Sequence, residues 1–336
     1  MKCLLFDYRD MEQPFFENRE LSDFDITFYK NNLTEKTELT DEEYDNTEIL
    51  SVFIHSQINE RVINKFKNLR MIVTRSTGYN HIDIDACREK NIAVINVEKY
   101  GEESVAQYTI GMLITLVRNI VPAMKDFGVK TIEHSKYVGH NLYQLSLGVI
   151  GTGSIGVAVC KIANSLGMHI FAHDLSVNPE IKDFVEYVSL DELYKYSNVI
   201  SLHLPYSKEN YHMISEKEFE QMQDGSYLIN CARGELVDNF ALYKAIKSGK
   251  IAGAGLDVLE CEKYTMYDDD EFLTLKDNNC SCLENMVIVQ KLLKEPNVII
   301  TPHIAYNTHQ SINRILESSF NSIKDCVSGR CTNQVV

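Results

Sequence analysis

An α/β fold built on parallel sheets, in two parts, is what this sequence predicts, and three observations carry the prediction. Short apolar runs alternate with polar helical stretches through the first hundred residues. A long apolar-faced segment at 102–120 interrupts that rhythm. The alternation then restarts at Leu147 and continues almost to the end. Strands separated by helices imply parallel βαβ units. A chain of 336 residues also has the length of two domains.

In order, residues 2–6, 26–29, 49–54, 71–74 and 92–96 read as strands, with helices over 57–67 and 82–90. Residues 102–120 read as one helix, since Val105, Ile110, Leu113, Ile114 and Val117 share a face, and Pro122 is expected to stop it. We place a domain boundary near residue 100. Residues 147–150 form the next strand and 154–166 a helix, closed by Gly167. Strands follow at 168–173, 184–188, 198–204, 226–231, 252–257 and 298–301, with helices at 190–196, 215–223 and 238–248. The acidic segment 263–297 is long for a loop and reads as functional or as an insertion with its own helix. A last helix spans 307–327 with no strand after it and is expected to return to the first domain.

Composition narrows the function. With 33 Lys+Arg against 48 Asp+Glu the net charge is −15, which repels phosphate backbones and anionic lipid. Neither nucleic acid nor a membrane is therefore expected as a partner. The nine cysteines are irregularly spaced and read as reduced thiols of a cytoplasmic protein. Cys280 and Cys282 have no further ligands beside them, so no metal is expected. The opening run MKCLLFDYRD breaks at Asp7 and does not read as a secretory leader. Residues 137–160 carry no formal charge, but their glycines and polar residues suit a strand, turn and helix better than a membrane span.

Gly151-Thr152-Gly153-Ser154-Ile155-Gly156 follows an apolar strand and opens a helix. In that setting the glycines allow a tight turn, close approach of a pyrophosphate and close helix–strand packing. The next strand ends at Asp174, whose carboxylate can accept a ribose diol and would repel a 2′-phosphate, so NAD is the expected cofactor. In open α/β sheets ligands bind beyond the carboxyl ends of the strands. Arg233, Asp257 (with Glu260 and Glu262 just beyond) and His303 all follow strands there. A guanidinium can hold a carboxylate bidentately. An imidazole kept protonated by a carboxylate can give a proton to an alkoxide.

At these residues the chain resembles the D-isomer-specific 2-hydroxyacid dehydrogenases. The resembling stretches are Gly148 through Gly156, Ser201-Leu202-His203-Leu204-Pro205, Asn230-Cys231-Ala232-Arg233-Gly234, Gly255-Leu256-Asp257-Val258-Leu259-Glu260 and Thr301-Pro302-His303. The resemblance implies two doubly wound parallel-sheet domains, a Rossmann-type cofactor domain (100–301) inserted into a flavodoxin-like substrate domain (1–99 with 302–336). It implies that Arg233 binds the substrate carboxylate, that Glu262 rather than Glu260 pairs with His303, and that His303 is the proton donor. It further implies that Asp257 meets the nicotinamide end of the cofactor and that Leu204, Pro205, Asn210, Cys231 and Ala232 line its site, alongside Gly151, Gly153, Ser154, Ile155, Gly156 and Asp174.

Arg75-Ser76-Thr77-Gly78-Tyr79-Asn80-His81-Ile82-Asp83 resembles the family's carboxylate-binding loop, with the Thr77 and Gly78 amides as donors. Within the family the D-lactate dehydrogenase branch matches best, which gives Tyr100 and Tyr306 the place of aromatic pocket residues. Gln107, Ile58 and the absence of tryptophan depart from that branch. The resemblance thus implies reduction of pyruvate to D-lactate. The alternatives are a larger 2-oxo acid such as 2-oxoisocaproate or phenylpyruvate, or a dinucleotide-sensing binding protein of the same fold. A homodimer or homotetramer is the family expectation.

Overall fold

The structure is a computed structural model that describes residues 1–17, 23–129, 131–262, 280–329, 331 and 333–336. The chain divides into two compact units, residues 1–100 with 307–336 and residues 101–306.

In the first unit, β1 (Lys2–Leu5), β2 (Asp25–Phe28), β3 (Ile49–Val52), β4 (Met71–Thr74) and β5 (Ala93–Ile95) form one sheet. Its order is β2-β1-β3-β4-β5 and every pair is parallel. That is the flavodoxin-like order. The helices α1 (Gln13–Glu17), α2 (Asp41–Asn46), α3 (Glu60–Ile63) and α4 (Ile84–Glu89), and the C-terminal helix His309–Val327, complete it. Polar side chains start these helices by accepting orphan amides: Thr40 from Glu43, Asn59 from Val62, Asp83 from Ala86, Thr308 from Ser311. No helix was expected at α2, although its capping box, Thr40 and Glu43, stands in the sequence. β3 and β4 are buried along their whole length, as strands covered on both faces must be. No strand follows the last helix, as expected, but the chain end still pairs. The Val94 amide donates to the Val336 carbonyl, the Val335 amide donates to the Val94 carbonyl, and Ile95 bridges Gln334 antiparallel, so the end covers the β5 edge.

The second unit opens with α5 (Glu102–Val117) and α6 (Ile120–Asp126). One helix stopped by Pro122 was expected. Instead the break falls at Asn119, which is left-handed at φ 53°, and Pro122 sits in the first turn of α6. Asn tolerates that conformation, and a proline costs no hydrogen bond in a first turn. No single helix among the described residues is long and apolar enough to cross a membrane. The uncharged stretch 137–160 holds short 3-10 turns, a strand, the glycine loop and the start of a helix.

Seven strands follow: β6 (Ser146–Ile150), β7 (His169–His173), β8 (Glu186–Tyr187), β9 (Val199–Leu202), β10 (Ser226–Asn230), β11 (Ile251–Leu256) and β12 (Val298–Ile300). Their order is β12-β11-β10-β9-β6-β7-β8, all parallel, with β6 at the reversal point. The register aligns the strand ends in one row. Ile150 lies opposite His173 and Leu202, Asn230 opposite Leu202 and Leu256, and Leu256 opposite Ile300. The helices are α7 (Ser154–Ser165), α8 (Leu190–Tyr196), α9 (Glu216–Gln221), α10 (Asn239–Ser248) and α11 (Cys280–Leu292). The last of these falls in the acidic segment, whose run 268–271 lies outside the described residues.

The expectation of reduced thiols is corrected at two places. Cys261 pairs with Cys282 and Cys326 with Cys331, while Cys3, Cys87, Cys160 and Cys231 are free and buried. Sequence spacing could not reveal the first pair. It forms because a left-handed turn at Cys261 (φ 60°) and the start of α11 bring the two Cα atoms to 5.7 Å, within disulfide reach.

Gly167 ends α7 at φ 78° and is the helix stop the sequence announces. Gly167→Ala should lose about 1 kcal/mol, because a Cβ disfavours the left-handed region. Urea or thermal unfolding would read the loss, and an unmoved midpoint would argue against this turn.

Candidate active site

The row of strand ends explains what gathers here. The residues just beyond it are Gly151 after β6, Asp174 after β7, His203 after β9, Cys231 after β10, Asp257 after β11 and Thr301 after β12.

The glycine loop comes first. Gly151 is left-handed at φ 96°, and a Cβ there would lie 2.7 Å from the His203 carbonyl. A Cβ on Gly156 would lie 2.0 Å from the Gly151 carbonyl, so α7 packs on its own loop with no room for a side chain. At Gly153, by contrast, a Cβ would meet nothing within 4 Å. That opening lies at the N-cap of α7, beside exposed Ser154, where amides and the helix dipole suit a phosphate. Ile155 anchors the helix from below by packing on the core.

Asp174 ties the second strand to this loop. Its Oδ2 accepts the Thr152 amide at 2.6 Å and the Thr152 hydroxyl at 3.0 Å. Burial raises its pKa, but these bonds and the Leu175 and Ser176 amides outweigh burial and hold it below the usual carboxylate range. An ionised carboxylate at this place fits a ribose diol. Together with the open Gly153 cradle it makes the donor set fit NAD.

Of the other residues expected at the cofactor, Leu204 lies against the position a Gly151 Cβ would take, and Pro205 is exposed. Asn210 spends both ends of its amide on its own loop, donating to the Pro205 carbonyl and accepting the Ser207 amide. The Cys231 thiol points into the core at Met112, and burial pushes its pKa up to about 12. Only its backbone can line a ligand. Ala232 is buried and accepts a guanidinium hydrogen bond from Arg233 at 2.6 Å. The rest of the Arg233 fork has no partner among the described residues.

Asp257 is 1% exposed and is consumed by the turn that follows β12. Its Oδ1 accepts the Thr301 hydroxyl at 2.6 Å and the Ile304 amide at 3.0 Å, and its Oδ2 accepts the Ala305 amide at 2.8 Å. Its backbone carbonyl takes the His303 amide at 2.9 Å. These bonds hold His303 at φ 52°, a conformation rare for such a residue. The structure thus makes Asp257 the support of His303.

His303 Nδ1 lies 2.9 Å from Glu262 Oε2, and Glu262 Oε1 accepts the Leu259 amide at 2.9 Å. Burial lowers the His303 pKa, yet the hydrogen bond and charge of Glu262, helped by Asp257 and opposed by Arg233, leave it raised overall. Glu260 is engaged elsewhere, with the Tyr211 hydroxyl at 2.8 Å and His212 Nε2 at 2.9 Å. The Tyr306 ring stands edge-on to His303, 6.4 Å between centroids.

Gly234 is a residue to which the sequence reading gave no role. A Cβ there would fall 1.9 Å from the Leu259 carbonyl carbon, so this glycine seats the Arg233 turn on the backbone that leads to Glu262. Only its place directly after Arg233 hinted at it.

In the first unit, Arg75 is buried and donates to the Phe6 and Asp7 carbonyls, each at 2.9 Å. Thr77 and Gly78 follow it on the loop after β4. Their amides donate to nothing among the described residues. Tyr100 ends this first stretch of the unit, half-buried. Ile58, loosely aligned with a pocket tyrosine, is instead fully buried in the core.

Fold and site define a dinucleotide-dependent dehydrogenase, and the comparisons agree. The sequence profile of the D-isomer specific 2-hydroxyacid dehydrogenase NAD-binding domain matches residues 110–305. An aromatic 2-oxoacid reductase of Clostridium sporogenes is 36% identical over 85% of each chain. A D-lactate dehydrogenase of Escherichia coli is 31% identical over the full length of both. The crystal structure of an Aquifex aeolicus D-lactate dehydrogenase with NAD and lactic acid superposes with a TM-score of 0.83, at 36% identity, over 98% of this chain and 96% of that one. This chain belongs to the D-isomer-specific 2-hydroxyacid dehydrogenases, and its cofactor is NAD.

Asp174 should set the choice between NADH and NADPH. Asp174→Asn keeps an acceptor for the Thr152 amide but removes the charge. The ratio of kcat/KM with NADPH to that with NADH should rise, and an unchanged ratio would count against Asp174 as the discriminating group.

Proposed function

We propose that this chain reduces pyruvate to D-lactate. The Glu262–His303 pair, with its imidazole pKa held up, is the observation that carries the reading. Bound NADH supplies the hydride for the carbonyl carbon. Everything else falls to the protein. Arg233 offers its unengaged guanidinium edge to the substrate carboxylate, and the free amides of Thr77 and Gly78 suit the same kind of group. Hydride addition leaves an alkoxide. His303 carries its Glu262 bond on Nδ1, so Nε2 is the atom that delivers the proton. Asp257 acts through the turn it holds rather than on the cofactor. Tyr100 and Tyr306 are the pocket aromatics of this reading.

A second reading, reduction of an aromatic 2-oxo acid, is favoured by the Clostridium sporogenes relative. NADH oxidation by purified protein against pyruvate, 2-oxoisocaproate and phenylpyruvate separates the two by kcat/KM. We also read the protein as a homodimer or homotetramer, which size-exclusion chromatography with light scattering would test.

Two variants probe the roles. Arg233→Lys loses the planar fork and should cost roughly a hundredfold in kcat/KM for the 2-oxo acid, because charged bidentate contacts are among the strong ones. Retained kcat/KM would remove Arg233 from the substrate site. In the other, Glu262→Gln takes away the charge that favours imidazolium. The His303 pKa then falls, so the donor form is lost at lower pH and the basic limb of the kcat/KM profile moves toward acid. Superimposable basic limbs would reject the coupling.

A further inference from the structure

Three successive carbonyls of the loop after β4 are held from behind. Ser76 O accepts the Val97 amide at 3.0 Å, Thr77 O accepts Asn96 Nδ2 at 3.0 Å, and Gly78 O accepts the Ser76 hydroxyl at 2.6 Å. In a trans peptide the N–H points opposite to the C=O of the same plane. Fixing these three carbonyls therefore fixes the amides of Thr77, Gly78 and Tyr79 on the other side. None of the three donates to a partner among the described residues.

The bond that holds Gly78 O is the end of a chain. Ser76 Oγ lies 2.7 Å from Thr74 Oγ1, which lies 3.1 Å from His81 Nε2. A hydroxyl has one proton. Ser76 gives its proton to Gly78 O, so it must accept from Thr74. Thr74 must then accept from His81, and Nε2 must carry the ring proton. The reverse order, with Nδ1 protonated, sends the Ser76 proton back toward Thr74 and leaves Gly78 O without a donor. The peptide between Gly78 and Tyr79 would then be free to turn its carbonyl toward an incoming anion.

We propose that His81 is a positioning residue for substrate binding: its Nε2–H, relayed through Thr74 and Ser76, holds the Gly78–Tyr79 peptide so that the Tyr79 amide, beside those of Thr77 and Gly78, and not the Gly78 carbonyl, faces the 2-oxo acid carboxylate. The inference rests on the proposed function and assigns a residue outside the catalytic set. The backbone places His81 for this task, since its carbonyl accepts the Ile58 amide at 2.8 Å beside the Ile58–Ile82 bridge. Thr74 and Ser76 are both buried, so water does not compete along the relay. Burial, with a smaller push from His55, lowers the His81 pKa to about 4. The ring is thus neutral at working pH, and its tautomer is a real choice.

The test has two arms. In the first, 15N NMR of the histidine-labelled full chain reads the tautomer of His81 at neutral pH. The relay requires Nε2–H, and an Nδ1–H ring would overturn it without any variant. In the second, KM and kcat for pyruvate and the Kd for NADH are measured for His81→Leu, His81→Gln and Thr74→Val. Loss of a hydrogen bond to an ionic ligand is worth roughly tenfold or more, so KM should rise by about that factor in His81→Leu and Thr74→Val. The His303 chemistry is untouched, so kcat and the NADH Kd should stay close to the unmodified values. His81→Gln, which restores an N–H donor, should recover part of the affinity. The double variant His81→Leu with Thr74→Val should be no worse than either alone, because both cut one relay. An unmoved KM, or a fully additive double variant, would sink the assignment while leaving the proposed function standing. A chain inert toward every 2-oxo acid would sink both.

Discussion

Much of the second unit turns on one buried carboxylate. Asp257 stands at the end of β11 and accepts three hydrogen bonds from the turn after β12, while its backbone receives a fourth from His303. Burial alone would drive its pKa up, and the hydrogen bonds and the charge of His303 work against that rise. The arrangement fixes a left-handed histidine whose imidazole then meets Glu262. A buried acceptor that lost these partners would carry a desolvation cost of about 1–3 kcal/mol for each unmet bond. The turn and the carboxylate therefore stabilise each other, and the imidazole inherits a defined position.

A second constraint is sheet register. β6, β7, β9, β10, β11 and β12 end level with one another, so the residue after each strand enters the same row. That is how a glycine loop, the Asp174 carboxylate and the turn that carries His303 can come from distant parts of the chain. Close contacts lock the row from within. Gly156 sits under Gly151, and Gly234 sits under the Leu259–Glu260 peptide. At both positions the absent side chain is what lets two backbone segments touch.

The sequence made the parallel alternation, the glycine loop and the residues after the strand ends legible, because each rests on local pattern or on strand order. The placement of Asp174, Arg233 and His303 beyond strand ends was read in this way. What stayed hidden depends on contacts between distant segments. The helix break at Asn119 competes with a nearby proline that looks like the stronger breaker. The Cys261–Cys282 pair depends on where α11 begins. Asp257 and Asn210 were expected to face the cofactor, and the sequence does not show that the Asp257 carboxylate is engaged by the turn after β12 or that the Asn210 amide is engaged by its own loop. Gly234 and His81 stand in stretches the sequence singles out, but the contacts that give them a task are made only in the folded chain.

The Cys261–Cys282 link has a consequence for engineering. It fixes two Cα atoms 5.7 Å apart at the borders of the segment that follows Glu262. Closing a longer loop between fixed ends adds only about 0.6 kcal/mol per doubling of its length. Glu262 itself lies inside the closed interval, next to Cys261, so any change of length there must leave it in place beside the tie and the Leu259 amide that holds its carboxylate.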